Sequence, residues 1–193
     1  MTVRPPPVLP ATTATTAPAA PFEALHARLA ERLRAADAAP ALAARLGLMI
    51  GERRWLVDLS EAGEIVPVPE AIAPVPLTRD WLLGLVNLRG ALYTVVDLQR
   101  FAGLGATASG KEARLLALAG RLEFNAAILV TRMLGLRNVA SMRPETAADD
   151  EGTGPRDRPD WIGRTLIDAE GQRWHELDLA KLAAGSAFLM VGR

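Results

Sequence analysis

Few residues in this chain could do chemistry. Asp97 and Asp178 each close an apolar run and, as two carboxylates, could be an acid–base pair. Each also precedes a short helix-forming stretch, Leu98–Ala102 or Leu179–Ala184, where an aspartate side chain accepts from free backbone N–H groups. Capping is the simpler role, because a catalytic pair needs one raised pKa and no neighbouring residue argues for it. The chain has no Cys and only two His, His26 and His175, far apart in sequence. That leaves no thiolate nucleophile, no Cys-ligated metal and little material for a His-based metal site or triad. Asp149-Asp150-Glu151-Gly152 lacks the alternating ligand spacing of a calcium loop. Ser60, Ser109, Ser141 and Ser186 have no Gly-x-Ser-x-Gly context, and neither Gly103-Leu104-Gly105 nor Gly152-Thr153-Gly154 ends in the Lys-Ser/Thr of a phosphate loop. No catalytic, metal or cofactor site is expected, and a binding module is the default.

Arg89 is the exception. It is a charged residue at a turn between two very apolar stretches, Leu82–Leu88 and Leu92–Val96. A guanidinium fixed there by a carboxylate would be a good interface anchor, and Glu64, on an earlier strand, is the expected partner.

The elements that must position these residues are mostly short strands. Leu46–Ile50 and Trp55–Leu59 flank Gly51-Glu52-Arg53 as a hairpin would, and Glu64–Val68 is a further strand. Arg114–Ala119 and Leu122–Val130 flank Gly120, and Ile162–Asp168 and Gln172–Leu177 flank Gly171. Many short strands with Gly turns predict a mainly β fold, a barrel or sandwich rather than a parallel α/β sheet. Ahead of them, residues 1–21 are rich in Pro, Thr and Ala and predict a disordered arm. Residues 22–43 predict a helical extension, because Phe22, Leu25, Leu29 and Leu33 recur at three- and four-residue spacing. Residues 44–193 form the β domain, and the polar stretch from Arg143 to Asp160 is expected to be a loop. Formal net charge is zero, which favours no nucleic acid or anionic membrane partner, and no apolar run approaches the ~20 residues that span a bilayer. With no Cys and no signal peptide pattern, a cytoplasmic protein is expected.

Two stretches echo each other. One runs from Trp81 through Gly90 to Asp97-Leu98, the other from Trp161 through Gly171 to Asp178-Leu179. Each reads as a Trp opening a strand, a Gly supplying the turn, and a return strand ending in a capping Asp. Two similar subdomains are expected.

The first stretch also resembles the CheW-like chemotaxis coupling proteins. That family carries a Gly-x-x-Asn-apolar-Arg-Gly turn followed by an apolar strand ending in Val-apolar-Asp-Leu. Here the residues are Gly84, Asn87, Leu88, Arg89 and Gly90, then Val95, Val96, Asp97 and Leu98. Leu46–Leu59 resembles the family's first hairpin, Ala113–Gly135 its third strand pair and Trp161–Leu182 its closing hairpin, so the likeness covers about residues 44–190. Two positions depart. Thr94 stands where the family usually has Pro, and Thr131 stands where it has an acid. The N-terminal helix and Tyr93-Thr94 resemble the PilI branch, which serves twitching motility by type IV pili.

The resemblance implies two small five-stranded β-barrels, no enzymatic activity and no cofactor. It implies an adaptor that joins the cytoplasmic tip of a methyl-accepting chemoreceptor to the regulatory domain of a CheA-type histidine kinase. Such a protein stays out of the bilayer but can be recruited to membrane-associated receptor arrays. The receptor tip would dock in an apolar groove between the barrels, with Val86, Leu88 and Val95 lining or supporting it and Glu64–Arg89 fixing its wall. The alternative reading is a free-standing regulator that binds another protein without any kinase.

Overall fold

A computed structural model describes residues 44–146 and 158–192. The arm at 1–21, the helix expected at 22–43 and the centre of the acidic loop lie outside these residues. The described chain forms eleven strands. They are β1 (Ala44–Ile50), β2 (Arg53–Asp58), β3 (Ala62–Pro67), β4 (Leu82–Leu88), β5 (Ala91–Val96), β6 (Arg114–Leu118), β7 (Ala126–Val130), β8 (Arg132–Asn138), β9 (Arg143–Pro144), β10 (Ile162–Ile167) and β11 (Arg173–Leu177). The described residues also form three short helices: α1 (Leu98–Phe101) and α2 (Leu179–Ala184), each after a strand, and α3 (Ser186–Leu189), directly after α2.

The mainly β expectation holds, and the strands divide into two sheets. The first has the order β8-β1-β2-β11-β10-β9 and the second β3-β6-β7-β5-β4. Each contains two antiparallel hairpins joined through one parallel pair, β2 with β11 in the first and β7 with β5 in the second. The chain's middle builds one sheet and its two flanks build the other. The echo is therefore a repeat of topology: β4–β5 and β10–β11 occupy matching places.

The match extends to single bonds. The Asp97 N–H donates to the Trp81 carbonyl at 2.8 Å, and the Asp178 N–H to the Trp161 carbonyl at 2.9 Å. Both hairpins turn at a Gly of positive φ, Gly90 at 91° and Gly171 at 77°. Asp97 then caps α1 by accepting from the Gln99 and Arg100 N–H groups, and Asp178 caps α2 by accepting from Lys181. The two aspartates differ in burial. Asp97 is 1% exposed, and its carboxylate also takes the Thr107 N–H at 2.9 Å and the Thr107 hydroxyl at 2.6 Å, tying the loop after α1 back onto the sheet.

Neither sheet closes into a barrel by strand pairing among the described residues, so the expected five-stranded barrels are curled sheets instead. In each, the two edge strands are consecutive in the chain, and the connection crosses the open side. After β3, Ala73 pairs with Leu85 of β4 through two backbone hydrogen bonds of 2.8 and 2.9 Å. After β8, a 3₁₀ turn at Val139–Ser141 leads into β9, which pairs with β10. The segment from Arg143, expected to be loop, thus begins as an edge strand. Two further boundaries shift. Leu122 lies in a 3₁₀ turn that ends at Glu123 with φ 52°, so the strand expected from Leu122 starts only at Ala126. β8 had no strand expectation of its own, and it pairs with β1 with a register shift between Gly47 and Leu48.

At the centre of the second sheet, β7 is buried on both faces, as a strand covered on each side requires. All five residues of β7 are buried. Ile128 and Val130 face the core shared by the two sheets, while Ala127 and Leu129 face a second core inside the curl of the second sheet. Leu56, Leu166 and Trp174 form a smaller counterpart in the first.

Asp97 and Asp178 give a direct test of the unequal burial. Asp97→Ala removes a buried cap and strands the Thr107 donors, and should cost about 3 kcal/mol in chemical denaturation. Asp178→Ala, half-exposed, should cost about 1 kcal/mol. Equal losses would contradict the assignment of Asp97 as the tie between strand, helix and loop.

Candidate functional site

The signature segment folds as the β4–β5 hairpin, and each of its fixed residues has a physical reason. Gly84 has φ 142°, and a Cβ there would lie 2.2 Å from the Ala73 carbonyl oxygen. Only glycine lets the crossing segment bond to β4. Arg89 (φ 52°) and Gly90 (φ 91°) are the two central residues of the hairpin turn, both left-handed as a type I′ turn demands. The Asn87 side-chain oxygen accepts from the Gly90 N–H at 2.8 Å and braces that turn.

The structure brings Arg89 and Glu64 together. A guanidinium nitrogen lies 2.8 Å from a Glu64 carboxylate oxygen, with Arg89 82% and Glu64 35% exposed. Glu64 sits on β3 and Arg89 at the tip of β4–β5, and these strands are opposite edges of the second sheet. The ion pair therefore clasps the curl across its open side. Being so exposed, it contributes at most about 1 kcal/mol to stability.

The three apolar residues of the expected site are placed differently. Val95 is 0% and Val86 6% exposed, and both belong to the core inside the second sheet, with Leu88 packed against it at the rim. They support the Arg89 end of the sheet from below rather than presenting a surface. Ile65, next to Glu64, and Leu92, opposite Asn87 in the hairpin, are the exposed apolar side chains on the flanking strands. Sequence reasoning passed over both. Leu92 falls on the same strand face as buried Val96, and only the extent of the core distinguishes them.

An apolar hollow does lie between the sheets, elsewhere. Ile50, Trp55, Trp161 and Ile162 line it from the first sheet, Leu98 and Leu104 from α1 and the loop after it. Its volume is about 20 Å³, room for roughly one water. The Trp55 indole N–H is buried without a hydrogen-bond partner among the described residues. Leu104, 48% exposed, brings the hollow to the surface.

Both departures from the family pattern make bonds. The Thr94 N–H, which proline would lack, donates to the Asn125 carbonyl at 2.9 Å and extends the β5–β7 pairing. The Thr131 hydroxyl accepts from the Gly51 N–H at 2.9 Å, bracing the β1–β2 turn.

Titratable groups on the first sheet are perturbed. The half-buried His175 imidazole is pushed from its ordinary 6.5 to about 4, first by burial and then by the charges of Arg53, Arg158 and Arg173. It lies 5.3 Å from the Trp55 ring and shares a 3.1 Å hydrogen bond with the Thr165 hydroxyl. Burial alone would raise Asp168, but donation from the Trp174 indole and the Gln172 and Glu170 N–H groups holds it below the usual carboxylate range. Among the described residues no three His, Cys, Asp or Glu side chains gather as a metal site would require.

A two-sheet β scaffold with a clasped hairpin and two aspartate-capped helices defines the class: a small, mainly β domain of two sheets with a repeated topology. The CheW-like domain family matches residues 45–186, and the chain belongs to that family. Protein PilI of Pseudomonas aeruginosa is 28% identical over 111 residues, 58% of this chain and 61% of that protein. The chemotaxis protein CheW of Helicobacter pylori is 32% identical over 71 residues, 37% of this chain and 42% of that protein. The matches thus span less than two thirds of either relative. The crystal structure of the scaffolding protein TtCheW from Thermoanaerobacter tengcongensis has the same fold, with a TM-score of 0.54 over 69% of this chain and 87% of that one at 18% identity. Among the described residues no helix is long and apolar enough to cross a membrane.

His175 makes the pH dependence of folding testable. Its folded pKa lies below its unfolded value, so stability is present above about pH 6.5 and is lost as pH falls towards 4. An NMR titration should show one imidazole titrating near pH 4, and His175→Gln should flatten the stability profile in that window. An ordinary midpoint near 6.5 for His175 would show that the imidazole is solvated.

Proposed function

We propose that this protein is a non-catalytic adaptor that couples a chemoreceptor to a CheA-type histidine kinase, in the chemosensory system of type IV pilus motility. The observation that carries the reading is the signature hairpin, Gly84 to Asp97, set in a CheW-like fold with its Arg89 clasped to Glu64. The likeness to PilI supports the pilus assignment. Work would be done by surface area rather than by reaction, which suits a chain whose perturbed groups are held by hydrogen bonds and burial rather than gathered in a cleft with a nucleophile.

In this reading the helical hairpin tip of the receptor sets apolar side chains at helix spacing against the Arg89 end of the second sheet, with the Glu64–Arg89 ion pair fixing the wall. Leu88 lies at the rim there, and Val86 and Val95 hold the surface in shape from the core beneath. The regulatory domain of the kinase pairs with the edge of a sheet. The protein acts in the cytoplasm and is drawn to receptor arrays by its partners. Each contact is modest alone, and the array raises the effective concentration of the other partner.

The test is capture of a purified receptor tip and of the kinase regulatory domain on the immobilised full chain. Wild type should retain both. Arg89→Glu reverses a charge at the rim and should weaken receptor-tip binding by about tenfold or more while leaving the denaturation curve within about 1 kcal/mol. Undiminished binding by the folded variant removes Arg89 from the interface. Failure of the wild type to bind any kinase regulatory domain removes the coupling function and leaves a free-standing interaction protein.

A further inference from the structure

We propose that Glu61 is a latch that holds the two sheets as one rigid body, acting against a hinge at Thr131. Among the described residues the chain crosses between the sheets twice, at residues 59–61 from β2 to β3 and at Thr131 from β7 to β8. Thr131 is a single residue between two strands, and its N–H and hydroxyl are both bonded to the first sheet. The N–H donates to the Met49 carbonyl at 2.8 Å, and the hydroxyl accepts from the Gly51 N–H at 2.9 Å. That crossing bends but has no spare length. The other crossing has three residues, enough to span about 10 Å when drawn out. The backbone alone therefore does not fix how the sheets meet there.

Glu61 supplies what the backbone lacks. One carboxylate oxygen accepts from the N–H of Leu179, the first residue of α2, at 2.8 Å. The other lies 3.7 Å from the guanidinium of Arg121, in the 3₁₀ turn after β6. α2 follows the first sheet and β6 belongs to the second, so one carboxylate joins the two bodies. Its partner is itself held. Arg121 donates to the Ser60 hydroxyl at 2.7 Å, and that hydroxyl donates to Asp58 at 2.6 Å. Asp58 is held below the usual carboxylate range, first by the Ser60 hydroxyl and then by the Ser60 N–H. The Glu61 side chain is 14% exposed and that of Arg121 53%. The bond to Leu179 is thus sheltered, while the charge pair is open to competition from outside.

Two features of the joint let the sheets turn once Glu61 lets go. The residues flanking the latch in sequence, Val57, Ala62, Leu118, Leu122 and Leu179, all pack in the core shared by the sheets. Such contacts are non-directional and set no angle by themselves. Beside the hinge the packing has a gap. Ile50, next to Gly51, lines the hollow of about 20 Å³, and so does Gln99, whose side chain lies over Gly51. Close-packed interiors resist rotation, and unfilled volume at the pivot relieves that resistance. The Trp55 indole N–H, unpartnered among the described residues, has no bond to lose when the sheets turn. A latched chain presents the surfaces of both sheets at one angle, and a released chain does not.

The chain has no Cys, so nitroxide labels can be placed at Leu92→Cys in β5 and Leu136→Cys in β8, exposed positions on different sheets. The measurement is the distance distribution between the labels in the full-length protein. The chain with Glu61 intact should give one narrow distance and Glu61→Ala a broad one. Glu61→Gln keeps an oxygen for the Leu179 N–H and should fall between them. Arg121→Ala, which keeps the Leu179 bond and loses the charge pair, should match Glu61→Gln. The Ala119 amide, bonded to the Glu61 carbonyl at 2.8 Å, should exchange about tenfold faster in Glu61→Ala. The Trp174 indole N–H, bonded to Asp168 within the first sheet, should not change. The proposal is overturned by a broad distribution with Glu61 intact, by unchanged width in Glu61→Ala, by Glu61→Gln as broad as Glu61→Ala, or by equal acceleration at Ala119 and Trp174. If Glu61→Ala does not fold, Glu61→Gln and Arg121→Ala decide, and unchanged widths in both overturn it. None of these measurements involves a receptor or a kinase, so the latch and the coupling function fail or stand separately.

Discussion

The structure depends on an aromatic joint between its two sheets. The chain has only four Trp, four Phe and one Tyr. Six of those nine, Trp55, Trp81, Trp161, Phe101, Phe124 and Phe188, meet in ring contacts at the joint, from the Trp81–Phe188 stack at 5.6 Å to the Trp55–Trp161 contact at 6.0 Å. Such pairs add about 0.5–1.5 kcal/mol each beyond the area they bury. Trp81 and Trp161 do two jobs at once. Their rings enter the joint and their carbonyls receive the N–H of Asp97 and Asp178. The hairpins of both sheets are thereby pinned at the point where their helices begin.

That joint leaves the far ends of the sheets to be held by weaker means. The second sheet is kept curled by the Ala73 bridge and the Glu64–Arg89 ion pair, the first by the chain crossing from β8 to β9. The Glu64–Arg89 ion pair is exposed enough to be screened by solvent, so the rim it holds can adjust without disturbing packing at the joint.

What was legible in the sequence was what local chemistry decides. Asp97 and Asp178 were readable as caps, and the Arg89-Gly90 turn as a hairpin tip, because each signal sits within a few residues. The echo was readable because both copies use the same local signals. Barrel closure was not. Whether two edges meet depends on a crossing segment such as Ile72–Ala73, which has no strand pattern of its own. β8 was passed over because Gly135 interrupts it with φ 78° and its exposures follow no strict alternation. Val86 and Val95 were readable as apolar, but in a sheet buried on both faces the pattern cannot say which core a side chain enters.

Thr94 and Thr131 show how a departure from a family pattern is to be weighed. From sequence alone each counts against the resemblance, since a proline and an acid are missing. In the structure each supplies a hydrogen bond that the position can use. A proline at Thr94 could not donate to Asn125, so threonine lengthens the parallel pairing that joins the two hairpins of the second sheet. At Thr131 the requirement is an acceptor for the Gly51 N–H, which a hydroxyl meets without placing a charge beside the buried end of β7. In this chain the position supplies an oxygen in reach of a backbone donor, and that bond braces the β1–β2 turn without a carboxylate.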